Sequence, residues 1–220
     1  MAVSAIPCFF YLRDMYGQEN IGYYYNNARL EEYFAKYSDE ARLEYARTAL
    51  ERYRSYRLEK MNARQQIAFE EAERSTILMS SGGVIGPVTF GGAMNSMESR
   101  FFNSVLARDD NTIESLKGDI EYLSFKMSCL ELSVSLLDDN GLPYKDLDKF
   151  LEKHSYNRTF GINEYSSLLR TVYFIGEKND ISKIARELDI NDQKLRRRIA
   201  SATKYIYLPE EIFDDIFDGY

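Results

Sequence analysis

From Ile113 to Leu137 an apolar residue recurs at alternating spacings of three and four: Ile113, Leu116, Ile120, Leu123, Met127, Leu130, Val134 and Leu137. That rhythm keeps all eight on one side of an α-helix. Asn111, with Glu114 three residues on, has the form of a capping box. At the other end "DDNGLP" supplies the glycine and proline that close helices. The pattern predicts a helix over 112–138. In heptad terms Ile113, Ile120, Met127 and Val134 fall at a, and Leu116, Leu123, Leu130 and Leu137 at d. This is the preference of parallel two-stranded coiled coils, and Lys126 at g would meet Glu131 at e of a partner. Tyr122, Phe125, Cys129, Leu132 and Leu136 lie off the seam and are also apolar. A helix apolar on several sides is normally surrounded by protein. The expectation is a central helix of a bundle, within one chain or between chains, with the heptad seam as the candidate oligomerisation surface.

Upstream, residues 27–75 contain neither proline nor glycine and are rich in helix formers. Leu30, Phe34, Tyr37 and Ala41 mark an apolar stripe, which Ala46, Leu50, Tyr53 and Met61 continue. Ser38 or Asp39 is placed to cap a restart, which predicts two helices. Residues 1–27 are aromatic and irregular, with Phe9, Phe10, Tyr11, Tyr16, Tyr23, Tyr24 and Tyr25. They read as an arm that packs on its own core or on a neighbour. Residues 98–108 read as a short helix with Phe101, Phe102, Val105 and Leu106 on its apolar face, broken by "RDDN". Between these lies "STILMSSGGVIGPVTFGGAMNSM", residues 75–97, without one charge. Gly82, Gly83, Gly86, Pro87, Gly91 and Gly92 break any membrane-spanning helix, so a loop that lines a channel or enters a partner is expected.

Composition narrows the class. The 220 residues are 45% hydrophobic and 29% charged, as in ordinary globular chains. The net charge of −7 excludes a uniformly basic coat for nucleic acid, so any contact with DNA must come from a local patch. Residues 27–75 carry ten acidic and ten basic side chains, which suits a solvated or intersubunit surface. Cys8 and Cys129 are far apart and form neither a disulfide framework nor a metal spacing. With no signal peptide at the start, an intracellular setting is expected, cytoplasmic or inside a viral particle.

The segment "ISKIARELDINDQKLRRRIASATKY", residues 181–205, has a second kind of order. Ile184, Ala185 and Leu188 fit one short helix. Ile190 falls in a turn, Asn191 is placed to cap a second helix, and Leu195 and Ile199 sit on it. A small Ala185 lets the second helix cross closely, while Leu188, Ile190 and Leu195 fill the angle. This resembles the helix-turn-helix of DNA-binding regulators, resolvases and terminase small subunits, over about 25 residues. "INEYSSLLRTVYFI", with Leu168, Leu169 and Val172, would supply the first helix of a three-helix unit. Two positions depart from the pattern. Asp189 stands where glycine is usual, and the late apolar position falls on Ile199, with Arg198 in the usual place.

Residues 181–206 hold seven basic and three acidic side chains, a local +4. The resemblance implies that Asp192, Gln193, Lys194 and Arg197 face base edges, and that Ser182, Lys183 and Arg186 reach phosphates. Arg196, Arg198 and Lys204 complete the basic set. The competing use of these cations is pairing with the five carboxylates of "LPEEIFDDIFDGY" that follow. In that tail Pro209 suits a first helical position. Ile212, Phe213, Ile216 and Phe217 form an apolar edge that would dock on a partner or on its own domain.

No paired-histidine, dinucleotide or phosphate-loop motif is present, and the one histidine, His154, lacks a convergent nucleophile or acid. No enzyme activity, cofactor or metal is expected. The sequence thus predicts an all-α chain with long helices, a heptad-packed central helix and a small C-terminal three-helix, helix-turn-helix-like unit. It divides as 1–97, 98–160 and 161–220. The expected function is that of a non-catalytic oligomer, partnered by itself, by other subunits and by DNA. The alternative is a structural subunit of a large assembly, such as a virion connector, a portal-associated ring or a secretion machine.

Overall fold

The computed structural model describes residues 22–80, 96–138, 140–143, 164–175 and 181–217. The Gly-rich segment 81–95, most of the aromatic arm and His154 lie outside these residues. Helix α1 is Asn27–Lys36, α2 is Asp39–Ser80, α3 is Ser96–Ser135 and α4 is Glu164–Arg170. A π-helical turn, Thr171–Ile175, continues α4. Helix α5 is Ile181–Glu187, α6 is Asp192–Thr203 and α7 is Asp214–Phe217. Among the described residues the only β pairing is an isolated bridge between Leu137 and Pro143, so the fold is all-α. None of the described helices is long and apolar enough to cross a membrane.

The restart expected after residue 37 is present. The Asn26 side chain accepts from the Arg29 amide and opens α1. Ser38 Oγ accepts from the Ala41 amide at 3.3 Å, while its carbonyl takes the Arg42 amide and opens α2. The break at "RDDN" does not occur, and α3 runs unbroken through residues 108–111. Aspartate and asparagine cost a helix only a few tenths of a kcal/mol each, roughly, too little to end it by themselves. Asp110 instead pairs with Arg74 of α2. Consequently Asn111 is interior to the helix and does not cap it. At the far end α3 stops at Ser135. The Asp138 carboxylate then accepts from the Asn140 and Leu142 amides at 2.8 and 2.9 Å. Gly141 follows with φ +73°, and a Cβ there would meet the Tyr165 ring at 3.1 Å.

By contacts the chain groups into two compact units that cross the three sequence segments. One is Met1–Tyr56 with Phe125–Tyr220, and the other is Arg57–Ser124. In the first, Tyr25, Leu50, Leu130, Leu132, Leu137, Leu169, Leu195, Ile206 and Phe213 are fully buried. Each such leucine contributes roughly 1.5–3 kcal/mol relative to an exposed one. Tyr25, from the end of the arm, donates to the Cys129 carbonyl at 2.9 Å and shares a 3.0 Å hydrogen bond with Ser133. Tyr53 stacks on Phe174 with ring centres 4.1 Å apart.

Every residue from Ser128 to Leu137 is buried. Much of the heptad seam is therefore core of this chain. Leu130, Val134 and Leu137 are covered by the chain's own unit, Ile113 and Leu123 are also buried, and only Leu116, Ile120 and Met127 are half-buried. Lys126 and Glu131, expected to meet across two chains, are 3% and 6% exposed. Lys126 pairs with Asp215 at 2.8 Å, and Glu131 accepts from the Tyr53 hydroxyl. In the Arg57–Ser124 unit Ala63 is buried, but Leu58, Met61, Phe69 and Tyr122 are exposed. Met61 therefore does not continue the core stripe.

Candidate nucleic-acid interface

Helix α6 packs on both α4 and α5, giving a three-helix unit over residues 164–203, within the 161–220 segment where one was expected. Ala185 of α5 is buried, as a close crossing requires, and Leu168, Leu169, Val172, Leu195 and Ile199 close the interior. Ile199 serves as the late apolar position, so the one-residue displacement is absorbed without exposing it. Leu188 does not plug the angle as expected. At 49% exposure it points out of the unit.

The turn between α5 and α6 explains Asp189. The Ile190 amide bonds to the Ala185 carbonyl at 3.0 Å, and the Asp189 amide to the Arg186 carbonyl at 3.3 Å. These two bonds are a Schellman closure, which needs a left-handed residue at the position after the cap. Asp189 takes that conformation with φ 53°. Aspartate tolerates this region better than most side chains, so it replaces the usual glycine without opening the turn. Asn191 then caps α6, its side chain accepting from the Lys194 amide at 2.7 Å. Ser182 donates to the Asp192 carboxylate and ties the first turns of α5 and α6 together. Those two side chains hold the motif's geometry; they are not idle donors or acceptors for a ligand.

A helix turns about 100° per residue. With Leu195, Ile199 and Ala202 facing the core, Gln193, Arg197 and Ser201 face directly away, and Lys194 lies beside them. Gln193, Lys194, Arg196 and Arg197 are exposed, and among the described residues their side chains make no hydrogen bond or ion pair. Lys183 and Arg186 are exposed on α5, and Arg186 Nε donates to the Ser182 carbonyl one turn back. Arg198 is half-buried on the flank of α6. Lys204 belongs elsewhere. It is the C-cap of α6, and its ammonium pairs with Asp39 at 2.6 Å. That hydrogen bond holds the Lys204 ammonium above and the Asp39 carboxyl below their ordinary values.

Three carboxylates of the acidic tail pair away from α6. Glu210 pairs with Lys36 at 2.6 Å, Glu211 with Arg29, and Asp215 with both Arg52 and Lys126. All four cations lie on α1, α2 or α3. The tail's apolar edge is likewise occupied by its own unit. Ile212, Phe213 and Ile216 are buried, and Phe217 packs against Tyr37 and Tyr45 with ring centres 5.5 and 4.7 Å away. These residues are therefore not a free docking edge for a partner.

Two features of the site were not anticipated. Arg42 is buried and reaches three carbonyls and a carboxylate: Lys204, Phe34, Tyr37 and Asp39. A lone arginine in a helix of balanced charge carries no pattern that would reveal this. The second is a groove of about 390 Å³ beside α6, lined by Leu43, Glu44, Arg47, Glu51, Tyr173 and Arg196 among others. Compared with family models, curated proteins and solved structures, the chain matches none of them.

Proposed function

We propose that this protein binds double-stranded DNA through its C-terminal three-helix unit, with α6 as the recognition helix. Gln193, Lys194 and Arg197 would approach base edges, while Lys183 and Arg186 of α5 would contact phosphates. The observation that carries this reading is the outer face of α6: exposed, basic, and, among the described residues, without side-chain partners at Gln193, Lys194 and Arg197. In a chain of net charge −7, cations without a partner among the described residues, while Glu210, Glu211 and Asp215 of the adjacent tail pair elsewhere, favour an external anion. The direct test is fluorescence anisotropy with a labelled duplex at low salt. Lys194→Glu with Arg197→Glu should abolish binding. Arg64→Glu with Lys117→Glu changes net charge equally on exposed sites of the other unit and should leave most of it. Equal loss in both pairs would reduce the effect to overall charge.

A second reading concerns assembly and rests on the Arg57–Ser124 unit. Leu58, Met61 and Phe69 are exposed and fall within one face of α2 at helical spacing. Exposed apolar faces of this kind mark protein contacts. In this reading the unit joins copies of the chain, as a small oligomer or as a larger structural ring. Mass measurement in solution distinguishes these forms, and Met61→Glu with Phe69→Glu should yield monomers.

A further inference from the structure

The groove beside α6 has a chemistry of its own. Its floor is apolar: Leu43, Val172, Tyr173, Ile181 and Ile199. Its volume, about 390 Å³, lies within the range of small-molecule sites. Four charged side chains also line it: Glu44, Arg47, Glu51 and Arg196. Three of them are already engaged with one another. Arg47 Nε donates to Glu51 at 2.9 Å, and Glu44 adds to the negative field on the same guanidinium. Arg196 alone makes no hydrogen bond or ion pair among the described residues. A planar guanidinium with five donors beside an apolar trough recognises a carboxylate in bidentate fashion.

We infer that this groove binds a small amphipathic carboxylate, with an apolar body of roughly ten carbons on the floor and its carboxylate on Arg196. The groove joins α2, the π-helical turn, the first residue of α5 and α6, so an occupant would touch four elements at once. The site stands apart from the reading of α6 as a DNA helix. It assigns Arg196 to the groove and leaves Gln193, Lys194 and Arg197 to the outer face.

The test uses the full chain and isothermal titration calorimetry with decanoate, decanol and decylamine, without DNA. Decanoate should bind, decylamine should not, and decanol should bind more weakly than decanoate. Arg196→Gln should weaken decanoate about tenfold to a hundredfold, the loss expected for a charge-assisted hydrogen-bond pair. It should do so with an unchanged circular dichroism spectrum, because Arg196 is exposed. Ala200→Phe, which fills the groove from a half-exposed position, should abolish binding while keeping every charge. The inference is overturned if decanoate does not bind, if the three probes bind equally, or if either variant binds decanoate as the parent does. Because no DNA is present, a failed DNA reading leaves these outcomes unaffected.

Discussion

The guanidinium of Arg42 donates through Nε to the main-chain carbonyl of Lys204, 3.2 Å away and 162 residues distant in sequence. The same side chain takes the Phe34 carbonyl at 3.2 Å and also bonds the Tyr37 carbonyl and the Asp39 carboxylate. Phe34 and Tyr37 close α1, and Lys204 closes α6. One buried cation thus satisfies the carbonyl ends of two helices, where partial negative charge accumulates. Arg42→Ala should lower stability by about 2–4 kcal/mol, since several buried acceptors lose their donor. Arg42→Lys should rescue little, because an ammonium lacks the fork that reaches four acceptors. Urea unfolding of the purified variants measures both.

Asp189 makes a sharper test of the turn. Its φ of 53° is left-handed. Asp189→Gly should be neutral or stabilising by up to about 1 kcal/mol, and Asp189→Val destabilising by about 1–2 kcal/mol. If both variants unfold at the parental urea concentration, the turn does not hold this conformation in solution.

Lys126 and Asp215 form an asymmetric pair. Lys126 is buried, whereas the Asp215 side chain is 39% exposed and shared with Arg52. Removing the acid takes the ion-pair partner from a buried ammonium, whereas removing the lysine leaves Asp215 still paired with Arg52. Asp215→Ala should therefore cost more, about 1–2 kcal/mol after discounting for solvent, than Lys126→Met. Thermal melts of the two variants give the order directly.

The acid limb of stability follows from Asp39 and Glu211. The Lys204 hydrogen bond holds the Asp39 carboxyl below its ordinary value. At Glu211 burial pulls upward, but Arg29 and the residue's own main-chain amide outweigh it and the carboxyl is again lowered. A carboxyl with a depressed folded pKa contributes stability that is complete above its unfolded pKa and lost as pH falls through the folded one. The urea midpoint should be flat from about pH 7 to 5 and fall below about pH 4. Asp39→Asn should flatten part of that fall. Added salt should shrink it as well, because both pairs are partly exposed and screened.

Local signals in the sequence read well where they were local in cause. The restart at Ser38, the cap at Asn191 and the crossing at Ala185 each depend on a few neighbouring residues, and each is present. The heptads from Ile113 to Leu137 fixed a helix but left open what covers it. Periodicity reports which side is apolar and is blind to whose atoms cover it. The supposed break at "RDDN" failed because the helix preferences of aspartate and asparagine are too weak to end a helix by themselves. The destination of the acidic tail was not legible. Glu210, Glu211 and Asp215 had a basic segment adjacent in sequence, yet they pair with Lys36, Arg29, Arg52 and Lys126. Only tertiary structure brings those cations near, and that same pairing keeps these three carboxylates away from the outer face of α6.

The account turns on whether that face meets phosphate. Anisotropy titrations of a labelled duplex, repeated from about 50 to 200 mM salt, measure this most directly. Four cations per copy, Lys183, Arg186, Lys194 and Arg197, predict that log K falls with log salt at a slope of roughly −3 to −4. Lys194→Glu with Arg197→Glu should remove binding at every salt concentration. No binding at the lowest salt, or an affinity indifferent to salt and to those substitutions, would contradict the assignment of α6 as a DNA-binding helix.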